Sequence, residues 1–185
     1  LIQPRFSFED FVAKGSTALT AAESIDEGVG GVAPLYVRVP LIEHDPNIGE
    51  VDYQRIRVVH QILEKELGQN KVISAASMTN YTDTGFTREE VLNAVGPFMR
   101  KRFVTEDGSQ ALVTGFMPTV IASNDLKALV TRVEAELHAS GIPEAELGGF
   151  NILTTFATDD IVRGLQGDLT VSVLVNLALI GFAFQ

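Results

Sequence analysis

The chain of 185 residues carries a net charge of −10 at neutral pH and contains no cysteine. An acidic surface repels phosphate, so nucleic-acid binding is excluded as a main function. The lack of cysteine excludes disulfide bonds, thiolate metal sites and a cysteine nucleophile. Residues 1–30 show no secretory signal, and because the sequence begins at Leu1 rather than Met, we expect a fragment of a longer protein.

The first predicted element is an amphipathic helix over residues 6–26. Ser7 is followed by acidic residues, as is typical of a helix start, and small or apolar residues then recur every three or four positions. Gly28 and the pair Gly30-Gly31 follow, and glycine readily adopts the backbone conformation that closes a helix.

A strand, a helix and a second strand are predicted next. Residues 32–42 are apolar and β-branched, which suits a half-buried strand. Asp52 is the predicted N-cap of a helix with one apolar face that ends at Gly68. Residues 72–78 have the composition of a second strand.

The following segment contains a predicted insert and a hairpin. Thr87 and Glu90 have the spacing of a capping box, and the helix that they open should kink at Pro97. Asp107-Gly108 separates two strand-like runs, 102–105 and 110–116, which is typical of a hairpin turn.

A third long helix and a last strand complete the predicted domain. Ser123 is the predicted cap of the helix, which Gly141 and Pro143 end, and residues 147–153 resemble a short strand. Without the leading helix and the insert, the order is strand, helix, strand, strand, helix, strand. This order predicts an α+β fold of the ferredoxin-like split βαβ type, an antiparallel sheet with two helices on one face.

The C-terminal segment differs from the rest of the chain. Residues 154–168 look helical and polar, whereas residues 169–185 carry no charge and are apolar all round. We therefore predict a helix that runs from water into a truncated transmembrane segment. The sequence thus divides into a leading helix (1–30), a ferredoxin-like domain (31–153) and this helix (154–185). A buried helix or a dimer interface of a soluble domain is the alternative interpretation of the tail.

No catalytic constellation is found in the sequence. We interpret His44, His60 and His138 as lying outside any metal-like spacing with a second His or a Glu, and His60 as a packing residue. Phosphate-binding and nucleophile-elbow motifs are absent. Asp159 and Asp160 are adjacent on a helix and would point in different directions. We expect no catalytic residue, no metal and no cofactor, and therefore no enzyme.

The order of elements and several short motifs resemble the periplasmic loops of resistance-nodulation-division (RND) exporters. The resemblance is to the small-loop branch, which includes hydrophobe, hopanoid-like and mycobacterial-lipid exporters, and the leading helix is more similar to the second loop than to the first. It covers almost the whole chain and depends on the segments 6–26, 30–39, 72–77, 107–118, 123–139 and 149–185.

The resemblance implies a porter domain of a bacterial inner-membrane transporter that faces the periplasm. Its expected ligand is a hydrophobic or lipid-like molecule such as a sterol or hopanoid, and its expected partners are the rest of the transporter, a second periplasmic loop, a periplasmic carrier protein and, through residues 169–185, the membrane. Flexible methionines beside aromatic rings suit varied apolar ligands. We therefore predict a substrate path lined by Phe98, Met99, Phe116, Met117 and Phe150. A soluble ferredoxin-like binding or regulatory module is the alternative.

Overall fold

The computed structural model describes residues 15–79 and 87–183. In this part of the chain the strands are β1 (Ala33–Pro40), β2 (Val72–Ile73), β3 (Gln110–Met117) and β4 (Glu146–Gly148). The helices are α1 (Thr17–Val29), α2 (Glu50–Leu67), α3 (Ala75–Thr79), α4 (Arg88–Ala94), α5 (Gly96–Arg100), α6 (Ser123–Ala139) and α7 (Phe150–Ala183).

The four strands form one antiparallel sheet in the order β2-β3-β1-β4. The central pair, β1 and β3, is aligned over its full length, from Ala33 opposite Met117 to Pro40 opposite Gln110. Helix α2 connects β1 to β2, and α6 connects β3 to β4. The predicted α+β class is therefore confirmed. Without the helices of the insert, the observed order is strand, helix, strand, strand, helix, strand.

One face of the sheet forms the hydrophobic core with α2 and α6. Alternate residues of β1 and β3 point into it because side chains along a strand alternate between the two faces. The two helices contact each other and contribute the apolar stripes that the sequence predicted. Fully buried members of this core are Leu35, Val37, Val39, Ile56, Val59, Leu63, Val113, Met117, Leu126, Val133 and Leu137. Each such side chain contributes about 1.5 to 3 kcal/mol relative to an exposed position.

Helix α1 lies at one end of the sheet and is held there by Asp26. The predicted start at Ser7 lies outside the described residues; the described helix has Ser16 as its N-cap and ends at Gly30, which is left-handed. The Asp26 carboxylate accepts hydrogen bonds from the backbone N–H groups of Thr119 (2.7 Å) and Val120 (3.1 Å). The helix is thereby attached to the loop that follows β3.

The start of α2 differs from the prediction. Gly49, not Asp52, is the N-cap, and the Asp52 carboxylate is fully buried. It accepts hydrogen bonds from the backbone N–H groups of Ile42 (2.7 Å) and Glu43 (2.9 Å), so it holds the loop after β1 against α2. Ser123 is likewise the first residue of α6 and not its cap.

The predicted strand over 72–78 is wrong beyond Ile73, where α3 replaces it. Ser74 is fully buried, and its hydroxyl oxygen accepts a hydrogen bond from Ala76 N at 3.0 Å. The Ser77 hydroxyl accepts one from Ser74 N at 3.1 Å. These local side-chain bonds turn the backbone away from the ladder into a helical turn.

The insert and the hairpin are partly as predicted. The capping box of Thr87 and Glu90 is confirmed. The helix is interrupted at Val95, before Gly96 with its φ of 75°, and so just before the predicted kink at Pro97. Residues 102–105 do not form a strand. Only Val104 makes a bridge, to Ala111, because Lys101 to Phe103 form turns after α5.

Helix α7 begins earlier than predicted and is one continuous helix of 34 residues. Strand β4 ends at Gly148, so residues 150–153 are helical and the predicted strand over 147–153 is wrong in that part. At about 1.5 Å per residue the helix is roughly 50 Å long. Leu153, Leu165 and Leu174 are exposed, in common with most of its apolar side chains.

Within the residues that the structure describes, no helix is long and apolar enough to cross a membrane. The transmembrane segment over 169–185 therefore stays a prediction.

Candidate binding groove

The second face of the sheet carries an open groove of about 510 Å³. Volumes of about 300 to 1,000 Å³ are usual for small-molecule sites. The described residues that line it are Pro34, Tyr36, Ile73, Met99, Lys101, Arg102, Phe103, Leu112, Thr114 and Phe116. We call this set the open-face groove.

The floor of the groove follows from the alternation of the strands. Tyr36 lies between the core residues Leu35 and Val37, and Leu112 lies between Ala111 and Val113, so both point away from the core. Tyr36 is 38% exposed, and Leu112 is half-buried. Within residues 15–79 and 87–183, neither α2 nor α6 covers this strand face, so it offers a ligand an apolar surface.

One wall of the groove consists of α5 and the turn after it. Arg100 fixes this wall, because its guanidinium donates hydrogen bonds to the Pro46 carbonyl and to Asn47 Oδ1 (3.0 Å). Leu112 N donates to the Phe103 carbonyl at 2.8 Å and joins the turn to β3. Met99 and Phe103 therefore hold defined positions beside the sheet.

Two cationic side chains stand at the wall. Lys101 forms an ion pair with Glu106. The Arg102 guanidinium lies 5.1 Å from the centre of the Phe98 ring, a cation–π contact, and within the described part of the chain it forms no ion pair. Arg102 is exposed.

The predicted substrate-path residues fall into two groups. Met99 and Phe116 line the groove, and Phe98, 71% exposed, contacts it through Arg102. Met117 is fully buried on the opposite face of the sheet, and Phe150, 75% exposed, lies at the start of α7. The structure thus places two of the five residues in the groove and a third, Phe98, against one of its lining residues.

Sequence reasoning missed Tyr36, Leu112 and Arg102 as groove residues. The alternation in β1 and β3 contained the necessary information, since both strands carry large apolar residues at positions that face away from the core. No such signal marks Arg102, because it follows Arg100 and Lys101 in a run of three basic residues that is typical of a helix end.

A second cluster joins His60, Glu64 and Ser74. His60 Nδ1 lies 3.0 Å from Ser74 Oγ, and its Nε2 lies 3.5 Å from Glu64 Oε1. The prediction that no histidine has a Glu at such a spacing is therefore wrong for His60, whose partner lies one helical turn away. Burial lowers the pKa of His60 more than Glu64 raises it, so the pKa lies below its ordinary value.

The serine of this cluster is not placed for nucleophilic catalysis. Its side chain is fully buried and already accepts a hydrogen bond from Ala76 N. These contacts support the interpretation of His60 as a packing residue that links α2 to the end of β2. In the described part of the chain, no three His, Asp or Glu side chains are grouped so that they could hold a metal ion.

A polar depression beside the groove belongs to the hairpin turn. Hydrogen bonds from the side chains of Thr105 and Ser109 and from the Ser109 backbone N–H lower the pKa of Asp107 to about 2. Gly108, with a φ of 66°, packs against the backbone of His44 to Pro46. These polar groups satisfy one another and stabilise the turn.

Comparison with known proteins found no match to this chain among protein families, curated proteins or solved structures.

Proposed function

We propose that the chain is the periplasmic domain of an RND-type inner-membrane transporter, which captures or passes on a hydrophobic or amphiphilic, lipid-like substrate during export. The observation that carries this proposal is the position of the two flanking helices. Both join the sheet at the end where β1 begins, and α7 leaves the domain with exposed apolar side chains.

The close approach of two glycines to the sheet defines this end. Gly31, with a φ of 107°, lies so close to the backbone of Met117 that a Cβ would overlap it. Gly149, with a φ of 145°, lies against the Pro34 carbonyl. In the β1–β3 register, Pro34 is opposite Phe116, next to Met117. A loop inserted between two membrane helices needs its start and its end on the same side.

The proposal includes a fold type for the domain. We assign the domain to the ferredoxin-like split βαβ type, because the strand order β2-β3-β1-β4 with α2 and α6 as crossovers is the order that this type requires. The type hosts many functions, so it supports a porter subdomain without identifying one.

The open-face groove is the proposed place of capture. It is apolar along the sheet, has charged groups at one wall and is open to solvent, as a site for an amphiphile should be. The remaining transporter, with its second periplasmic loop, would cover the exposed face during transport, and a periplasmic carrier protein would receive the cargo. In this proposal the domain binds the cargo and passes it on without catalysing a reaction.

The membrane part of the proposal is tested by the attachment of the chain to bacterial membranes. The 185-residue chain is exported to the periplasm behind a cleavable signal, and membranes are isolated and washed with alkaline carbonate. We expect the chain to be retained. Introducing Leu174→Asp together with Leu177→Asp in α7 should release it, because charged groups are costly in hydrocarbon.

A matched control places two aspartates on exposed apolar residues of the domain, Ile42→Asp and Val51→Asp, and should leave retention unchanged. If the unchanged chain is instead folded and present in the soluble fraction, the membrane proposal fails. The alternative, a soluble binding or regulatory module, then predicts that α7 pairs with a second copy, which sedimentation analysis would detect as a dimer.

The capture part is tested with a neutral probe, a photoreactive alcohol with a sixteen-carbon chain. We expect it to label peptides of β1 and β3 that line the open-face groove. Phe116→Ala should reduce this labelling, whereas Phe150→Ala should not, since Phe150 lies outside the groove. Labelling spread evenly over the chain would contradict capture in the groove.

A further inference from the structure

We infer that the open-face groove selects amphiphiles with an anionic headgroup and that Arg102 binds this headgroup. The inference rests on the proposed capture of amphiphiles and adds the charge of the ligand. The apolar chain would lie along Tyr36, Leu112 and Phe116, and the headgroup would lie at the wall formed by the turn after α5.

The charge of the groove lining is opposite in sign to the net charge of the chain. The chain has 24 acidic and 14 basic residues, so its surface as a whole disfavours anions. The described residues that line the groove nevertheless include Lys101 and Arg102 and no acidic residue. A positive site on an acidic domain attracts an anion to one place, whereas a neutral ligand would gain nothing from it.

The two cations of the groove differ in their partners. Lys101 is paired with Glu106, whose charge is opposite to its own. Within the described residues Arg102 has the Phe98 ring as its contact and no carboxylate. Its planar guanidinium can donate two parallel hydrogen bonds to a carboxylate or a phosphate.

The exposed ring of Phe98 lies against the Arg102 guanidinium. A phenylalanine that is 71% exposed contributes little to the core, yet it lies beneath the Arg102 guanidinium. Stacking on the ring restricts the arginine side chain before a ligand arrives, so less conformational freedom is lost on binding. Phe98 is thus a positioning residue for Arg102.

The experiment uses the full chain and two photoreactive probes with the same sixteen-carbon chain, one ending in a carboxylate and one in an alcohol. The measured quantity is the probe concentration that gives half-maximal labelling of the groove peptides. We expect the carboxylate probe to need a roughly tenfold lower concentration than the alcohol, the effect of one charge-assisted hydrogen-bonded pair.

Arg102→Gln should raise the concentration for the carboxylate probe about tenfold and leave that for the alcohol unchanged. Phe98→Ala should have a smaller effect in the same direction. The control is Arg57→Gln. Arg57 is exposed on α2, so this substitution removes the same charge from a helix on the other face of the sheet. The control should leave both probes unaffected.

Three results would overturn the inference. Equal labelling by both probes, unchanged by Arg102→Gln, would mean that the groove captures amphiphiles without selecting charge, and the proposed function would survive. Competition by acetate as effective as that by the long-chain acid would mean that the headgroup alone is bound. Labelling of the groove by neither probe would remove both the inference and the proposed place of capture.

Discussion

The two faces of the sheet use the same strands for opposite purposes. On one face Leu35, Val37 and Val113 are fully buried under α2 and α6. On the other face Tyr36, Leu112 and Phe116, from the same two strands, are half-buried or exposed and line the open-face groove. Neighbouring residues along a strand therefore have different environments. Those on the covered face stabilise the fold, and those on the other face are available to bind a ligand.

Apolar character alone does not define a core position in this sheet. Both faces are apolar, but only one faces crossover helices with matching stripes. The covered face supplies most of the folding free energy, because burial removes its side chains from water. The open face keeps apolar surface in contact with water, and such surface is available for a ligand.

The largest expected effect comes from the same substitution made on each face. Leu35→Ala should lower the free energy of unfolding by about 2 to 5 kcal/mol, because it leaves a cavity in the core. Leu112→Ala should lower it by about 1 kcal/mol or less and should weaken probe labelling of the groove. Urea unfolding of both variants measures the difference. Equal losses of stability would remove the distinction between the faces.

A smaller effect on stability is expected where β1 begins. The pairing of β1 with β3 determines which residues lie on each face of the sheet. Gly31→Ala should destabilise the fold by roughly 1 to 3 kcal/mol, because the residue has a φ of 107° and its Cβ would overlap the Met117 backbone. Gly28→Ala is the control, as Gly28 lies in α1 with open space around it. The control should be neutral or stabilising by up to about 1 kcal/mol. Thermal unfolding followed by circular dichroism compares the two.

The stabilisation that comes from the attachment of α1 to the end of the sheet should depend on pH. Partial burial raises the pKa of Asp26. The hydrogen bonds from Thr119 and Val120 and the charge of Lys71 together lower it by more, so the pKa lies below its ordinary value. The folded pKa is thus below the unfolded one. The stabilisation is present above the unfolded pKa of about 4 and is lost as the pH falls through the folded pKa.

Asp26→Asn should therefore reduce stability by about 1 kcal/mol at neutral pH, and the difference from the unchanged chain should shrink below about pH 4. Urea unfolding at a series of pH values measures this. Glu27→Gln, at the exposed neighbouring position, is the control and should show no such dependence. A difference that stays constant with pH would mean that Asp26 acts through packing and not through its charge.

The smallest effect is expected on the outer surface of the helices that cover the core. Arg132 Nε lies 2.8 Å from Glu66 Oε2 and links α6 to α2. The Arg132 side chain is half exposed, so water and salt weaken the pair, and Arg132→Ala should cost less than about 1 kcal/mol. Repeating the measurement in 1 M salt should reduce even this loss. If Arg132→Ala lowered the free energy of unfolding as much as Leu35→Ala, ion pairs and not apolar packing would hold the two helices together.

The long helices were predictable because their signals are local. The apolar repeats of α2 and α6 have the helical period, and Gly68 and Gly141 follow their ends. The capping box of Thr87 and Glu90 was likewise readable, since both residues act within one turn.

Other elements were decided by contacts that the local pattern does not contain. The strand after Val72 ended at Ile73 because Ser74 and Ser77 bond their own backbone. Asp52 resembled a helix cap, but its carboxylate serves the loop after β1, nine and ten residues earlier in the chain. The predicted path residue Met117 faces the core, since the register of β3 determines which face each residue occupies.

The sequence by itself determined the α+β class, the order of the elements and the acidic, cysteine-free character of the chain, because composition and periodicity are properties of the chain alone. Only the tertiary structure decided which apolar residues form the core and which form the groove, and that Arg102 stands beside the groove on the Phe98 ring. The physical reason is that both faces of β1 and β3 are apolar, and only the packing of α2 and α6 selects the one that is covered.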